Sequence, residues 1–183
     1  ASTNQANNCP ARVRSIKSFF FCAKRAPHLN EFGLSGSGNL LLTQFQLAIG
    51  ATRYPPTANE CDSATNKVGA YTELVKAFGK VGSTVHNDLL MGSNYMASTG
   101  ADADCALRGA NVRFCPYGID LEAFRHEIEN GIDTSSRALP ITLHTQHSAD
   151  PRGANASCNQ LLMYVLYDSL FYVNMDGSVS VSN

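Results

Sequence analysis

The sequence predicts a mostly β domain, a jelly-roll β-sandwich with one or two short helices and long loops. Several short segments alternate apolar and polar residues with a period of two, which is typical of strands buried on one face. Clear helical periodicity occurs in a single segment, and the chain lacks the alternation of strands and helices that builds a parallel sheet. Stretches rich in Gly, Ser, Asn and Asp separate the apolar segments, as in a sandwich or jelly roll.

Two strands are predicted in the first third of the chain. Residues 39–52 place apolar side chains at every second position, which predicts a strand with one face in the core. Two prolines in the segment 53–56 then end it, because proline cannot donate to a strand ladder. Residues 12–23 are also strand-like, but the run Phe19-Phe20-Phe21 puts aromatic rings on both faces. We therefore expect that strand to be buried on two sides.

The clearest helix is predicted at residues 70–78. Apolar residues recur there at helical spacing, and Gly79 is suited to end the helix. We expect a buried stripe of four side chains: Tyr71, Leu74, Val75 and Phe78. From Gly79 to Gly109 the sequence is typical of a long loop, and in an assembling protein such loops often make the contacts.

The middle of the chain predicts a strand and a second short helix. Residues 112–119 are strand-like, and Asp120 could cap a helix that ends at 130–131. Leu121, Phe124 and Ile128 would share its apolar side.

Three further strands are predicted near the end. Residues 139–146 alternate, and Pro140 lies near the strand start, where proline is tolerated. Residues 161–173 are apolar in both phases, which predicts a central strand covered on both faces. Asp176-Gly177 favours a tight turn and is followed by renewed alternation, which predicts a closing hairpin.

Length and composition favour one domain that assembles with neighbours. The chain has 183 residues, which we divide into an N-terminal extension or linker at 1–10 and a jelly-roll domain at 11–183. Charged residues make up 16%, below the roughly 25% of ordinary soluble domains. A surface covered by uncharged polar residues suits burial against other subunits. Because the chain starts at Ala1, we expect a processed, trimmed or partial chain.

The charge distribution argues against a dedicated nucleic-acid binder. The net charge is −1, although residues 1–30 carry basic side chains and no acidic ones. We expect nucleic-acid contact to be weak at most, through Arg12, Arg14 and Lys17. No segment approaches the roughly 20 apolar residues of a membrane helix, so no membrane span is expected.

The cysteines do not form a metal motif. Six are scattered along the chain without a CxxC pair or histidines at zinc-finger spacing. They could pair in an oxidising compartment, but free, buried thiols of an intracellularly assembled protein are favoured. Their positions are Cys9, Cys22, Cys61, Cys105, Cys115 and Cys158.

The histidines and carboxylates do not predict an active site. His144 and His147 lie three apart on a predicted strand and so face opposite sides, which prevents a shared metal ion. The triplet 125–127 has acid and base side chains but no accompanying nucleophile motif. Asp168, within the most apolar segment, favours a hydrogen-bonded or Arg-paired structural role.

Two short motifs are also read as non-catalytic. The glycine-rich segment 33–38 fits neither a nucleophile elbow nor a phosphate loop, and we expect a flexible loop. Asn155 begins a glycosylation sequon, which matters only in a secretory pathway. The sequence thus predicts no catalytic, cofactor-binding or metal-binding residues, and no cofactor.

Several segments, taken in order, resemble the second, C-terminal jelly roll of double-jelly-roll viral major capsid proteins, as in polinton-like viruses, Maverick elements and the adenovirus lineage. The matching segments are 14–21, 47–56, 71–79, 118–122, 131–136, 140–141, 167–170 and the turn at 176–177. Members of that family carry two fused jelly rolls, and only one fits here. Either a first jelly roll is missing from this chain, or the chain is a single-jelly-roll relative.

The resemblance implies a structural protein of the virion rather than an enzyme. It implies a trimeric capsomer of an icosahedral shell, assembled inside the host cell, with other capsid proteins as partners. A carbohydrate- or ligand-binding jelly roll, with loops 79–109 and 147–157 as its pocket, is the main alternative. A hydrolase using His126, Asp120 and a serine is a third class that no spacing supports.

Overall fold

A computed structural model of the chain describes residues 4–25, 37–38, 42–61, 67–79, 116–122, 130–136, 139–147 and 158–182. One helix, α1 (Lys67–Ala77), accompanies ten strands in this part of the chain. The strands are β1 (Asn4–Cys9), β2 (Ile16–Arg25), β3 (Ser37–Gly38), β4 (Leu42–Ile49), β5 (Thr52–Glu60), β6 (Tyr117–Asp120), β7 (Ile141–His147), β8 (Cys158–Tyr167), β9 (Leu170–Val173) and β10 (Val179–Ser182). The prediction of a mostly β fold is confirmed.

All strand pairs are antiparallel and form two main sheets and a hairpin. The first sheet has the order β1-β7-β4-β5. In the second sheet β2 is central, with β8 along one edge and β6 and the short β3 along the other. Strands β9 and β10 pair only with each other among the described strands. Residues 4–9 of the predicted N-terminal extension therefore contribute the strand β1.

The two main sheets pack face to face through aromatic rings. Phe21 of β2 stacks on Tyr117 of β6, with ring centroids 4.9 Å apart. Phe45 of β4 in the first sheet meets both rings edge-on, at 5.4 Å from Phe21 and 5.6 Å from Tyr117. Apolar residues of both sheets belong to one buried cluster, so the architecture is a β-sandwich.

Helix α1 covers the outer face of β2 and β6. Gly118 permits this close approach, because a Cβ there would lie 2.9 Å from the Cβ of Ala77 and 3.0 Å from Cδ1 of Leu74. Ser18 Oγ donates a hydrogen bond to the carbonyl of Ala77, at 2.8 Å. On the same face Phe20 packs against Phe78, with centroids 4.9 Å apart. The prediction that β2 carries packed aromatic rings on both faces is confirmed.

The predicted helix is present, but of its predicted buried stripe only Leu74 is fully buried. The residues in contact with the sheet are Ala70, Leu74 and Ala77, whereas Phe78 is 46% exposed. Tyr71 and Val75 are only partly buried. Small side chains face the sheet because the helix lies so close to Gly118. Gly79 ends the helix as predicted, with φ of 69° and its N–H bonded to the carbonyl of Lys76 at 2.8 Å.

The end predicted for the strand at 39–52 was also wrong. Strand β4 ends at Ile49, the chain turns at Gly50 with φ of 59°, and β5 continues through both prolines. The prolines are tolerated because β5 lies at the sheet edge and because its pairing with β4 shifts register beside them, between Phe45 and Leu47. The predicted core face is present, since Phe45, Leu47 and Ile49 are buried.

Residues 161–173 do not form one central strand. They belong to β8 and β9, which are separated at 168–169. One face of β8 packs on the core through Leu161, Met163 and Val165, but Tyr164 and Leu166 on the other face are 50% and 53% exposed. Sequence alternation cannot distinguish a central strand from an apolar edge strand, which explains the error.

The remaining strand predictions hold where the residues are described. Strand β7 buries Ile141 and Leu143, with Pro140 just before it, and the closing hairpin turns at Asp176-Gly177. The segment 37–38, predicted as loop, pairs with β2. Strand β6 covers the end of the strand predicted at 112–119. Residues 112–115 of that predicted strand lie outside the described residues. Phe124 and Ile128 of the predicted second helix also lie outside them.

Candidate functional site

The two histidines of the HxxH motif lie on opposite faces of β7, as predicted. Burial alternates along this strand, and His147 is buried, with Nε2 2.9 Å from Oγ1 of Thr145. His144 is partly exposed on the outer face, opposite Gln46 of β4. Within the described ranges no group of three or more His, Cys, Asp or Glu side chains could hold a metal ion.

Several sequence candidates lie outside the described residues. They are the triplet 125–127, the glycines at 33 and 36, the Asn155 sequon, the loops 80–109 and 148–157, Cys105 and Cys115. Of the described cysteines, Cys9, Cys22 and Cys61 are buried thiols. Cys61 Sγ contacts the carbonyl of Leu42 at 3.5 Å, a structural contact inside the core.

Asp168 has the structural role that the sequence favoured, with a lysine as its charged partner instead of an arginine. Its Oδ1 lies 3.2 Å from Nζ of Lys17, and its Oδ2 accepts a hydrogen bond from Oγ of Ser15 at 3.2 Å. The backbone N–H of Asp168 bonds to the carbonyl of Ser15, at 3.1 Å. Asp168 therefore fixes the point at which the chain leaves β8 and enters β9.

Lys17 is held between two carboxylates. Its Nζ lies 3.4 Å from Oε1 of Glu122 in addition to the Asp168 contact, and its side chain is 18% exposed. Burial by itself would lower the pKa of Lys17, but the hydrogen bonds and charges of Asp168 and Glu122 outweigh it and raise the pKa above 10.5. Because two carboxylates compensate its charge, Lys17 is less available for the nucleic-acid contact predicted with Arg12 and Arg14.

A polar cleft of about 290 Å³ lies on the outer face of the first sheet. Its central side chain, Gln46, donates to the carbonyls of Pro55 and Pro56 at 2.9 and 3.1 Å and accepts from Arg53 at 3.0 Å. Further lining residues are Asn4, Gln5, Gln44, Phe45, Ala58, His144, Thr145 and Gln146. The cleft could hold a small polar ligand, although the amide at its centre is already satisfied by protein groups.

Among the described residues, the largest concentration of exposed apolar side chains lies on β9, β10 and the turn between them. We call β9, β10 and their turn the apolar arm. The pairs Phe171↔Val181 and Val173↔Val179 place four apolar side chains on one face of this arm, and these are 50–73% exposed. Met175 is fully exposed at its tip. A sheet face of this composition is ordinarily buried.

The outer face of β8 is a second exposed apolar surface. Phe20 and Tyr164 are direct neighbours across the β2–β8 pair, so Tyr164 extends the aromatic row that begins at Phe78. Leu166 follows on the same face of β8. Among the described strands β8 pairs with β2 alone, which leaves its second edge without a described neighbour.

The strands of this surface lack the basic residues and prolines that protect many sheet edges, although the β2–β8 pairing is irregular at two points, between Ile16 and Ser18 and between Lys24 and Arg25. Residues 158–182 contain no Lys, Arg or Pro, and their charged residues are Asp168 and Asp176. Natural sheet edges commonly carry lysine, proline or bulges that prevent pairing with other chains. Sequence reasoning missed this surface, although an apolar segment without charge was its visible signal.

Comparisons of the chain with protein-family models, with curated proteins and with solved structures give no match. The one helix among the described residues is too short and too polar to cross a membrane.

Proposed function

We propose that this chain is a structural subunit of an icosahedral virus shell, a jelly-roll capsid protein that acts by self-association and without catalysis. The observation that carries the proposal is the set of exposed apolar side chains on the arm and on the outer face of β8, which are suited to burial against other subunits. The low charged fraction of 16% supports the same role.

The strand order supports the jelly-roll part of the proposal. In an eight-stranded jelly roll the last strand lies between the first and the third, and the next-to-last lies between the second and the fourth. If β1 is taken as the second strand, then β7 takes the place of the next-to-last strand, because it lies between β1 and β4, with β5 beyond β4. Strand β8 then takes the place of the last strand and pairs with β2, and β6 lies on the other side of β2. On this assignment, the place beside β8 belongs to the first strand of the fold.

The arrangement of ionisable groups supports a structural role. His144 and His147 diverge, and the buried cluster of Lys17, Glu122 and Asp168 satisfies its own charges at the base of the arm. We expect no stoichiometric transition metal. Elemental analysis of the purified protein would contradict this part of the proposal if it found stoichiometric zinc, iron or copper.

Assembly in solution is the direct test. Sedimentation velocity at micromolar concentration should find trimers or larger particles, and negative-stain microscopy should show capsomers or shells. The threefold expectation depends on the resemblance to capsid proteins, since a jelly roll does not fix a symmetry. A chain that sediments as a monomer at all concentrations would overturn the proposal.

A ligand-binding module is the second candidate, favoured by the polar cleft beside His144 and Gln46. It predicts a monomer that binds glycans on an array and loses binding on His144→Ala. If the chain binds no glycan and assembles, this candidate is excluded.

A further inference from the structure

We infer that the apolar arm of one copy packs on the outer face of β8 in a second copy. The inference rests on the proposed function and goes further, since it names the two surfaces in contact. It makes the arm the donor and the row formed by Phe78, Tyr164 and Leu166 the acceptor.

The arm has no packing partner for its apolar face within the described part of its own chain. Phe171 and Val173 are 69% and 73% exposed, and Val179 and Val181 are 60% and 50% exposed. A two-stranded hairpin is at best marginally stable alone in water, and it requires a packed face for stability. A partner that covers this face would supply that packing.

The size of the face fits a subunit contact. At roughly 100 Å² of exposed surface for each of the four side chains, the face offers about 400 Å². An ordinary interface buries about 800 Å² on each partner, of which somewhat more than half is apolar. The arm therefore brings about as much apolar area as one partner contributes to such an interface.

The chemistry of the arm favours a second copy over a charged partner. Its strands contain no basic side chain, and Asp176 in the turn is its one acidic group, so a nucleic acid or a charged peptide would find little to pair with. The acceptor on β8 is also apolar, with the phenol of Tyr164 half exposed. Every copy carries both surfaces.

The contact is directional, because the arm and the acceptor are different patches. A head-to-tail contact closes into a ring when its rotation allows, which is compatible with threefold capsomers. The base of the arm is fixed by Asp168, which bonds to Ser15 and Lys17, so the arm leaves β8 in a defined direction. Such preorganisation reduces the ordering cost of association.

The test uses one variant for each surface. The arm variant is Phe171→Ser with Val173→Ser, and the acceptor variant is Tyr164→Ser with Leu166→Ser. Val68→Ser is the matched control, because Val68 is an equally exposed valine, at 69%, but lies on α1. Circular dichroism and thermal unfolding verify that each variant remains folded. We expect the control to assemble as the parent chain does, and each variant to sediment as a monomer.

Mixing the two defective variants tests the direction of the contact. The intact arm of the acceptor variant can bind the intact β8 face of the arm variant, so the mixture should form heterodimers but no closed rings. Monomers in the mixture would overturn the arm-to-β8 contact, and self-association of the acceptor variant by itself would point to a symmetric contact between two arms.

A fluorescent variant provides a second readout. The chain contains no tryptophan, so Phe171→Trp introduces a single reporter on the arm. Its emission should shift to shorter wavelength over the concentration range in which the protein assembles. An emission maximum typical of exposed tryptophan in the assembled state would overturn the inference.

The outcomes separate this inference from the proposed function. Arm and acceptor variants that still form the parent assemblies would overturn the arm contact and leave the capsid proposal standing. A parent chain that associates through the arm into open chains or non-trimeric rings, without capsomers or shells, would contradict the capsid proposal and leave the arm contact standing. A monomeric parent chain would overturn both.

Discussion

Among the described strands, β5 and β8 each lie at a sheet edge, but the two edges carry opposite kinds of residues. Strand β5 carries Pro55, Pro56 and Arg53, and its pairing with β4 is irregular. Strand β8 and the adjoining arm carry neither proline nor basic residues and expose large apolar side chains. Because proline, charge and irregular pairing oppose the addition of further strands, the β5 edge is protected against association. Among the described strands, the edge that carries proline and charge (β5) and the edge that exposes large apolar side chains (β8) belong to different sheets, and we assign assembly to the second.

The first test of this comparison is to replace a core phenylalanine and a phenylalanine of the arm, each separately, with alanine. Phe21→Ala should lower the free energy of unfolding by about 3–5 kcal/mol, because Phe21 is fully buried between Tyr117 and Phe45. Phe171→Ala should change it by less than about 0.5 kcal/mol but weaken association, since Phe171 is 69% exposed. Chemical unfolding and sedimentation of both variants provide the measurement. A large loss of stability in Phe171→Ala would show that the arm packs on its own subunit.

The second prediction places the same charge on the two edges. Leu166→Lys should weaken self-association about a hundredfold, because an ammonium group would be buried in the contact with the arm. Thr57→Lys on β5 should leave association unchanged within about twofold, since β5 is already protected. Dissociation constants from analytical ultracentrifugation test both changes. Equal weakening by the two lysines would remove the distinction between the edges.

The third prediction concerns the base of the arm. Lys17→Met should lower the free energy of unfolding by about 1–2 kcal/mol, because two largely buried carboxylates lose their shared cation. Lys76→Met is the control, since Lys76 pairs with Glu73 at an exposed position and should cost less than about 0.5 kcal/mol.

The pH dependence of stability in the parent chain and in Lys17→Met provides a further test of this prediction. The raised pKa of Lys17 means that its contribution is complete at neutral pH and is lost as the pH rises through the folded pKa, above 10.5. The difference in stability between the parent chain and Lys17→Met should therefore narrow in that alkaline range. A constant difference from neutral to alkaline pH would contradict the role of the ammonium charge.

The smallest expected effect is at the tip of the arm. Asp176 accepts hydrogen bonds from Oγ and from the N–H of Ser178, which lower the pKa of its carboxyl group below 3.8. The hydrogen bonds of the turn should weaken as the pH falls through the lowered pKa of Asp176. At neutral pH, Asp176→Ala should speed amide exchange in the arm. Asp133→Ala is the control, because Asp133 makes the same contacts with Ser135 outside the arm. Unchanged exchange in Asp176→Ala would show that Gly177 alone sets the turn.

Much of the fold could be predicted because its signals are local. The alternation in β4 and β7, the left-handed glycine after α1 and the turn at Asp176-Gly177 each depend on a few adjacent residues. The structural role of Asp168 was also predictable, since a carboxylate in an apolar segment requires a partner. Its lysine partner was not, because Lys17 lies in another strand.

The errors in the sequence predictions and the failure to predict the candidate surface have one physical cause. Periodicity reports which residues share a face, but it does not report what covers that face. The sequence by itself determined the strands β2, β4 and β7, the helix and the closing hairpin. Only the tertiary structure decided that β5 lies at an edge, that α1 contacts the sheet through Ala77 and Leu74, and that the apolar segment 161–173 leaves one face exposed. These outcomes depend on neighbours distant in sequence, whose positions local residue patterns do not encode.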